Sequence, residues 1–175
     1  GYDLTVKGTI EGNVYQRGYG SVYVMGGYVK GNVIERHDGS VDVTADGTVE
    51  GNVYERGSGD ALVSGGYVKG DVDEKRGGWV KVEDYGTIEG NIYERGSGDV
   101  NVMGGSLVKG NVVEKRGGDV TVTGYETMVE GNVKERNAGS VYVTDDAYVK
   151  GDVCERGAGM VYINTGGTVE GNQYC

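Results

Sequence analysis

The sequence contains no proline and no phenylalanine, and it has one histidine and two cysteines in 175 residues. Because no cysteine or second histidine lies at ligand spacing, His37 is expected to be a solvated turn residue and not a zinc ligand. No apolar run is long enough to span a bilayer, so we expect no membrane insertion. Seventeen cations against 27 anions give a net charge of −10, which disfavours nucleic acid as a partner.

The sequence also lacks the arrangements that catalysis requires. No serine lies near a base in a recognisable pattern, and no pair of carboxylates stands apart from the repeating background. Enzymes with β-helical folds need a local break in regularity to hold an acid and a base. We therefore predict that the chain is not an enzyme and that it carries no cofactor or metal.

What the sequence does contain is a five-residue motif, Val-x-Gly-Asn-Val in its commonest form, that returns every 19 to 21 residues. Its copies occupy residues 10–14, 29–33, 49–53, 68–72, 88–92, 108–112, 129–133, 149–153 and 169–173. The 36 glycines lie at fixed places in each copy, which is typical of turns. A period near 20 residues indicates a repeat architecture.

Each copy predicts three short strands separated by three corners. In the second copy the strands are residues 28–30, 33–36 and 40–43, and Val41 and Val43 alternate with Asp42 as in a half-buried strand. One copy has only about four inward apolar side chains, so copies must stack to enclose a core. We predict one all-β domain over residues 1–175, a parallel β-solenoid of eight to nine coils without helical caps. Antiparallel blades or a meander are the alternative.

Stacking would align the residue before each motif glycine into a charge ladder. This residue alternates between Glu and Lys along the whole chain: Glu11, Lys30, Glu50, Lys69, Glu89, Lys109, Glu130, Lys150 and Glu170. Opposite charges on neighbouring strands stabilise a sheet by roughly 0.2–1 kcal/mol per pair. Because exposed ion pairs are individually weak, we expect this ladder to fix register more than it adds stability.

Two further columns are polar. The residue after the motif glycine is Asn or Asp in every copy, from Asn13 to Asn172, and we interpret it as an asparagine ladder that bonds backbone groups at a corner. A second column contains Gln16 and then glutamates from Glu35 to Glu155, and each of its members is followed by Arg or Lys. We expect these arginines to neutralise the glutamates. A cation bound on the glutamates is the alternative.

The two cysteines lie near the end of the sequence. Alignment of the last two coils places Cys154 and Cys175 diagonally on adjacent strands. A disulfide between them would stabilise the last half-coil by roughly 3 kcal/mol and would indicate an oxidising compartment. Two free thiols and a bridge between subunits are the alternatives. The chain begins with Gly1 and not Met, so either a signal peptide was removed, which would place the protein outside the cytoplasm, or the sequence was trimmed.

The two ends of the chain are expected to be complementary parts of one coil. The chain opens in the third strand of a coil and stops in the second, and neither end has an evident cap. Head-to-tail contacts of this kind give a filament by default. The residues assigned to these assembly ends are Leu4, Thr5, Val6, Ile10, Asn172, Gln173 and Tyr174.

The Val-x-Gly-Asn/Asp-Val motif on short valine strands resembles the bactofilins, polymer-forming bacterial proteins. The resemblance implies a β-helical rod that assembles end to end without nucleotide. The sequence departs from that family in its Glu-Arg columns, its tyrosines and its cysteines. We predict a structural homopolymer at the cell surface or outside the cell, with a cytoplasmic polymer as the alternative location. The alternative function is a monomeric adhesin or carbohydrate-binding solenoid that uses the tyrosine-bearing face.

Overall fold

The computed structural model describes residues 1–173, in which 26 short strands, numbered β1 to β26 in chain order, form three sheets and there is no helix. Sheet A consists of β1 (Leu4–Val6), β4 (Val22–Met25), β7 (Val41–Thr44), β10 (Ala61–Ser64), β13 (Val80–Glu83), β16 (Val100–Met103), β19 (Val120–Thr123), β22 (Val141–Thr144) and β25 (Val161–Ile163). Sheet B consists of β2 (Thr9–Ile10), β5 (Tyr28–Val29), β8 (Thr48–Val49), β11 (Tyr67–Val68), β14 (Thr87–Ile88), β17 (Leu107–Val108), β20 (Met128–Val129), β23 (Tyr148–Val149) and β26 (Thr168–Val169). Sheet C consists of β3 (Val14–Gln16), β6 (Val33–Glu35), β9 (Val53–Glu55), β12 (Val72–Glu74), β15 (Ile92–Glu94), β18 (Val112–Glu114), β21 (Val133–Glu135) and β24 (Val153–Glu155).

Every strand pairs in parallel with the equivalent strand of the next coil. Val22 pairs with Val41 in sheet A, Tyr28 with Thr48 in sheet B and Val14 with Val33 in sheet C. The predicted parallel β-solenoid of about 20 residues per coil is therefore confirmed, and the antiparallel alternative is wrong. At about 4.8 Å per stacked strand, the coils form a rod on the order of 40 Å long.

The strands follow the β-branched residues, and their bounds differ from the predicted ones by one residue. Residues 28–30, 33–36 and 40–43 were expected, whereas the strands are Tyr28–Val29, Val33–Glu35 and Val41–Thr44. Valine and isoleucine suit the pleated backbone because their branched side chains lose little freedom there. The predicted and observed strands therefore differ only at their ends, next to the corners.

The core is a stack of valine layers. In the second coil Val22, Val24, Val29 and Val33 are fully buried, and the same four positions are buried through most of the rod. Each such side chain contributes roughly 1.5–3 kcal/mol when removed from water. Since a coil holds so few of them, its stability depends on the coils above and below it.

Tight turns join sheet A to sheet B. In one of them Ala45 and Asp46 have φ of 49° and 63°, and the Gly47 N–H donates to the Thr44 carbonyl at 2.9 Å. A Cβ at Gly47 would lie 2.1 Å from the Val24 carbonyl oxygen of the preceding coil, so this position requires glycine.

Within the described residues, nothing qualifies as an apolar helix long enough to cross a membrane.

Candidate functional site

The charge ladder forms ion pairs at two of its steps. Lys30 Nζ lies 2.7 Å from Glu11 Oε2, and Lys109 Nζ lies 2.5 Å from Glu89 Oε1. Between residues 11 and 170 the other ladder residues form no ion pair with one another. Sequence alternation therefore aligns the charges in a column, but it does not make one continuous chain of salt bridges.

Tyrosines take part in this column as well. The Tyr28 hydroxyl donates to Glu50 Oε1 in the next coil, and this hydrogen bond raises the pKa of Tyr28. Glu170 in the same way raises the pKa of Tyr148 through a hydrogen bond. The signal was present in the sequence, because a tyrosine lies two residues before Lys30, Lys69 and Lys150. At part of the ladder, therefore, the glutamate carboxylate bonds a tyrosine hydroxyl instead of a lysine ammonium group.

The column of Asn and Asp residues bonds the backbone of the next coil. Asn13 Oδ1 accepts the N–H of Asn32 at 2.7 Å, and Asn32 Oδ1 accepts that of Asn52 at 2.7 Å. The same bond recurs at every later step, ending with the Asn172 N–H on Asp152 Oδ1 at 2.8 Å. These bonds satisfy the N–H groups of the corner between sheets B and C.

Another polar column, which the sequence reasoning missed, lies where sheet C turns into sheet A. Ser21 Oγ accepts the N–H of Ser40 at 3.1 Å, and Ser40 Oγ accepts that of Asp60 at 3.1 Å. We call it the corner column, and its members are Asp3, Ser21, Ser40, Asp60, Trp79, Asp99, Asp119, Ser140 and Met160. The signal was an Asp or Ser directly before most strands of sheet A. Trp79 interrupts it, since an indole offers no acceptor.

The glutamates that end most strands of sheet C point into the rod. Glu35, Glu55, Glu74, Glu94, Glu114 and Glu135 are fully buried, and we call them the buried carboxyl column. The expectation that neighbouring arginines neutralise them is wrong, because within residues 1–173 no ion pair joins the two sets. Alternation along a strand explains the difference: two residues after an inward valine the side chain is inward again, and the arginine that follows is outward.

Backbone N–H groups of the following turn bond Oε1 of each buried carboxyl, and at Glu35 the His37 N–H lies 2.9 Å from both oxygens. Glu55 Oε1 accepts the Gly57 N–H at 2.7 Å, and Glu94 Oε1 accepts the Gly96 N–H at 2.6 Å. The Oε2 atoms of Glu55, Glu74, Glu94, Glu114 and Glu135 are buried without a donor from the rest of the protein. A hydrogen bond between carboxyls of adjacent coils would satisfy these atoms, and a bond between two carboxyls needs a proton.

The pKa shifts of the buried carboxyls agree with protons that are shared between neighbouring carboxyls. Burial, followed by hydrogen bonds with Glu35 and Glu74, raises the pKa of Glu55 to about 9. Burial and hydrogen bonds with Glu74 and Glu114 raise the pKa of Glu94 to about 10. For Glu114, burial alone would raise the pKa, but bonds from the Arg116 N–H and from its neighbouring carboxyls lower it. A protonated Glu94 thus donates to an ionised Glu114.

The two end faces expose the edges of the sheets. At the first end Leu4 and Ile10 are each 39% exposed, and with Thr5, Val6 and Thr9 they line a hollow of about 380 Å³. At the other end Val161, Ile163 and Val169 are only partly buried. Asn172 and Gln173 are exposed there, whereas Tyr174 lies outside the described residues.

The predicted disulfide also falls partly outside the described residues. Cys154 is a buried residue of β24, whereas Cys175 is not among residues 1–173. The pairing therefore stays a prediction. Within the described part of the chain, no group of three or more His, Cys, Asp or Glu side chains is placed to hold a metal ion.

These observations define the chain as a β-solenoid repeat protein with polar columns at its corners and a carboxyl column in its core. Comparison with known proteins takes the assignment no further: no family model, no curated protein and no solved structure matches the chain. The structure shows a parallel β-solenoid, and no comparison supports the resemblance to the bactofilins.

Proposed function

We propose that this β-solenoid is a structural protein whose copies associate head to tail into a filament. The observation that supports the proposal is the correspondence of the two end faces. In the described residues β1, β2 and β3 pair on one side only, and so do β25 and β26. Unpaired edges with half-covered apolar side chains favour the addition of another strand.

The register inside the rod shows how two copies would fit. Leu4 lies beside Val22 of the next coil, as Val141 lies beside Val161. The same step between copies would set Leu4 of one copy beside Val161 of another and Ile10 beside Val169. Each contact would be aliphatic on aliphatic, as it is within the core.

The Asn column would extend across the same joint. Every side chain that precedes Asn172 in this column accepts an N–H from the next coil. Asn172 Oδ1 would therefore accept the Asn13 N–H of a second copy. On this basis we interpret the column as an asparagine ladder, a device that sets the coil stacking within and between copies.

Two pairs at the joint oppose association. Glu170 of one copy would meet Glu11 of the next, a like-charge pair that costs roughly 0.2–1 kcal/mol. Gln173 would lie beside Val14, although the equivalent positions of the preceding coils hold a valine or an isoleucine. Both pairs weaken the contact without blocking it, so we expect assembly to depend on concentration.

The location we propose is outside the cytoplasm or on the cell surface. This part of the proposal depends on the predicted bond between Cys154 and Cys175, because structural disulfides persist in oxidising compartments. Mass measurement under non-reducing conditions tests it. A mass lower by two hydrogens in the monomer is expected, and two free thiols would remove this support.

Electron microscopy and sedimentation of the purified chain test the filament. We expect rods longer than one molecule, and we expect Leu4→Asp with Ile10→Asp to shorten them to single rods, because buried unpaired charge is costly. Met25→Asp is the matched control, since Met25 is exposed to a similar extent on a strand away from the joint. Single rods at every concentration, or equal loss in the control, would overturn the proposal.

A monomeric carbohydrate-binding solenoid is the second candidate. The outer surface of sheet C favours it, because aromatic and cationic side chains are concentrated there.

A further inference from the structure

The outer surface of sheet C carries an unbroken column of positive charge. The residue after Gln16 and after each later glutamate of sheet C is a cation, and because its predecessor points inward it lies on the outer side. We call this set the cation column: Arg17, Arg36, Arg56, Lys75, Arg95, Lys115, Arg136 and Arg156. All eight are exposed or half-buried. In a chain of net charge −10, this is a local reversal of sign.

Little within the rod neutralises the column. Of its eight members, all within the described residues, only Arg95 forms an ion pair, with Asp73 Oδ1 at 2.7 Å. The glutamates behind the sheet bond backbone N–H groups and one another. Burial and then the charges of Arg95 and Arg136 lower the pKa of Lys115, which is the effect expected of crowded cations. Seven of the eight cations therefore form no ion pair with the described residues.

Beside this column Tyr15, Tyr54 and Tyr93 alternate with Ile34 and Asp73, and further along the same row continues with Val113, Lys134 and Cys154. The Arg56 guanidinium lies 5.1 Å from the ring centroid of Tyr54, and that of Arg95 lies 5.1 Å from Tyr93. Tyr15 contacts Arg17 in the same way at 5.8 Å. These cation–π contacts hold the rings beside the charges. The result is one cation per coil at about 4.8 Å along the rod and, from Tyr15 to Tyr93, one tyrosine per two coils at about 10 Å.

We propose that the outer face of sheet C, from Tyr15 to Arg136, binds a linear acidic polysaccharide with one carboxylate per sugar. One coil step is close to the length of a sugar in an extended β-1,4-linked chain, so each carboxylate would meet a guanidinium or ammonium group. Arginine forms paired, charge-assisted hydrogen bonds with carboxylates. Alternate sugars in such a chain present the same ring face, which matches the tyrosines on every second coil from Tyr15 to Tyr93.

Calorimetric titration of the full chain with a β-1,4-linked glucuronic acid oligosaccharide tests the proposal. The matched ligand is a cello-oligosaccharide of equal length, which has the same linkage without the carboxylates. We expect binding of the acidic chain only, with affinity falling as salt is raised. Binding of neither ligand, or equal binding of both, would overturn the proposal.

Variants locate the contact. Arg36→Gln with Arg136→Gln is expected to weaken binding about tenfold or more, since one charge-assisted bond contributes roughly 1.5–3 kcal/mol. Tyr54→Ala with Tyr93→Ala is also expected to weaken it. Lys30→Gln with Lys69→Gln is the matched control, because it removes the same charge from the ladder. Equal loss in the control would show that net charge and not this face governs binding, and would overturn the assignment.

A single-stranded oligonucleotide distinguishes a sugar site from a general polyanion site. Its phosphates are spaced more widely along an extended strand than the coils are, so we expect weaker binding than that of the acidic oligosaccharide at equal charge. Equal affinity for the oligonucleotide would overturn the polysaccharide assignment. Circular dichroism of each variant confirms that a loss of binding is not a loss of fold.

Discussion

Within the buried carboxyl column, Glu55 and Glu94 act as hydrogen-bond donors, because each lies between two other carboxyls and is cut off from water. An isolated buried carboxylate would be strongly destabilising. A proton shared between neighbouring carboxyls, as between Glu94 and Glu114, turns this repulsion into a hydrogen bond. Glu94, with a pKa raised by burial to about 10, and Glu114, with a lowered pKa, show the two states side by side.

The stability of the protein should therefore decrease as the pH rises. Glu55 and Glu94 have folded-state pKa values of about 9 and about 10, above the ordinary value of 4.5. Their contribution is complete below the ordinary value, declines as the pH rises, and is lost above the folded-state values. Glu135, with a pKa of about 7, acts in the same direction. Urea unfolding at about pH 5, 7 and 9 should give a falling free energy of unfolding.

Glu94→Gln is the informative variant for this prediction. Gln16 shows that an amide fits the column, because its Oε1 accepts the Gly18 N–H at 2.9 Å. An amide keeps a donor at every pH, so the variant should be more stable than the natural protein at about pH 9 and should depend less on pH. Glu130→Gln, at an exposed site, should leave the pH dependence unchanged. Identical pH profiles for Glu94→Gln and the natural protein would contradict the shared-proton arrangement.

At the scale of the strand and its corner, the Ser and Asp side chains of the corner column bond the backbone of the next coil. Ser40→Ala would leave the Asp60 N–H without its acceptor and should lower the free energy of unfolding by about 1 kcal/mol. Trp79→Ser should raise the free energy of unfolding, because it supplies an acceptor for the Asp99 N–H where the column is interrupted. Thermal unfolding followed by far-ultraviolet circular dichroism measures both. Equal destabilisation by the two changes would contradict the role of this column.

The elements themselves follow from the sequence to a large extent. Alternating valines such as Val41 and Val43, with a glycine at each corner, determine the strands and their parallel stacking. The inward direction of Glu35 could also be derived, since it is two residues after Val33. That a full column of such carboxyls tolerates burial could not, because the shared protons exist only after the coils have stacked.

The exposed columns were predicted less completely for a different reason. Repeat spacing aligns Glu50 with Lys30 and Lys69, but it does not select the conformations of long side chains in water. Tyr28 competes for the Glu50 carboxylate and forms the hydrogen bond instead. The sequence thus predicts which residues share a column, and the structure is needed to show which of them touch.

At the scale of the whole molecule, the odd number of charge-ladder residues places two glutamates at the proposed joint between copies. Glu170→Lys would set an ammonium group beside Glu11 and continue the alternation. Because the swap removes a repulsive pair and adds an attractive one, it should strengthen association by about twofold to thirtyfold, which corresponds to roughly 0.4–2 kcal/mol. Sedimentation velocity over a range of concentrations measures this change.

The matched control is Glu130→Lys, which changes the net charge equally but lies within the rod. If both variants associate equally more strongly than the natural protein, reduced net charge and not the joint is responsible, and the joint geometry is wrong. If only Glu170→Lys does so, the register that extends Leu4 onto Val161 is supported. The variant also favours longer filaments for electron microscopy.

The buried carboxyl column has a consequence that reaches beyond the rod. At neutrality an extended chain has given up the protons of Glu55 and Glu94, whereas the finished rod holds them, so the chain must capture hydrogen ions from its surroundings as it coils. Refolding in an unbuffered medium would make that medium more alkaline. Secretion into a mildly acidic environment would drive the same process forward.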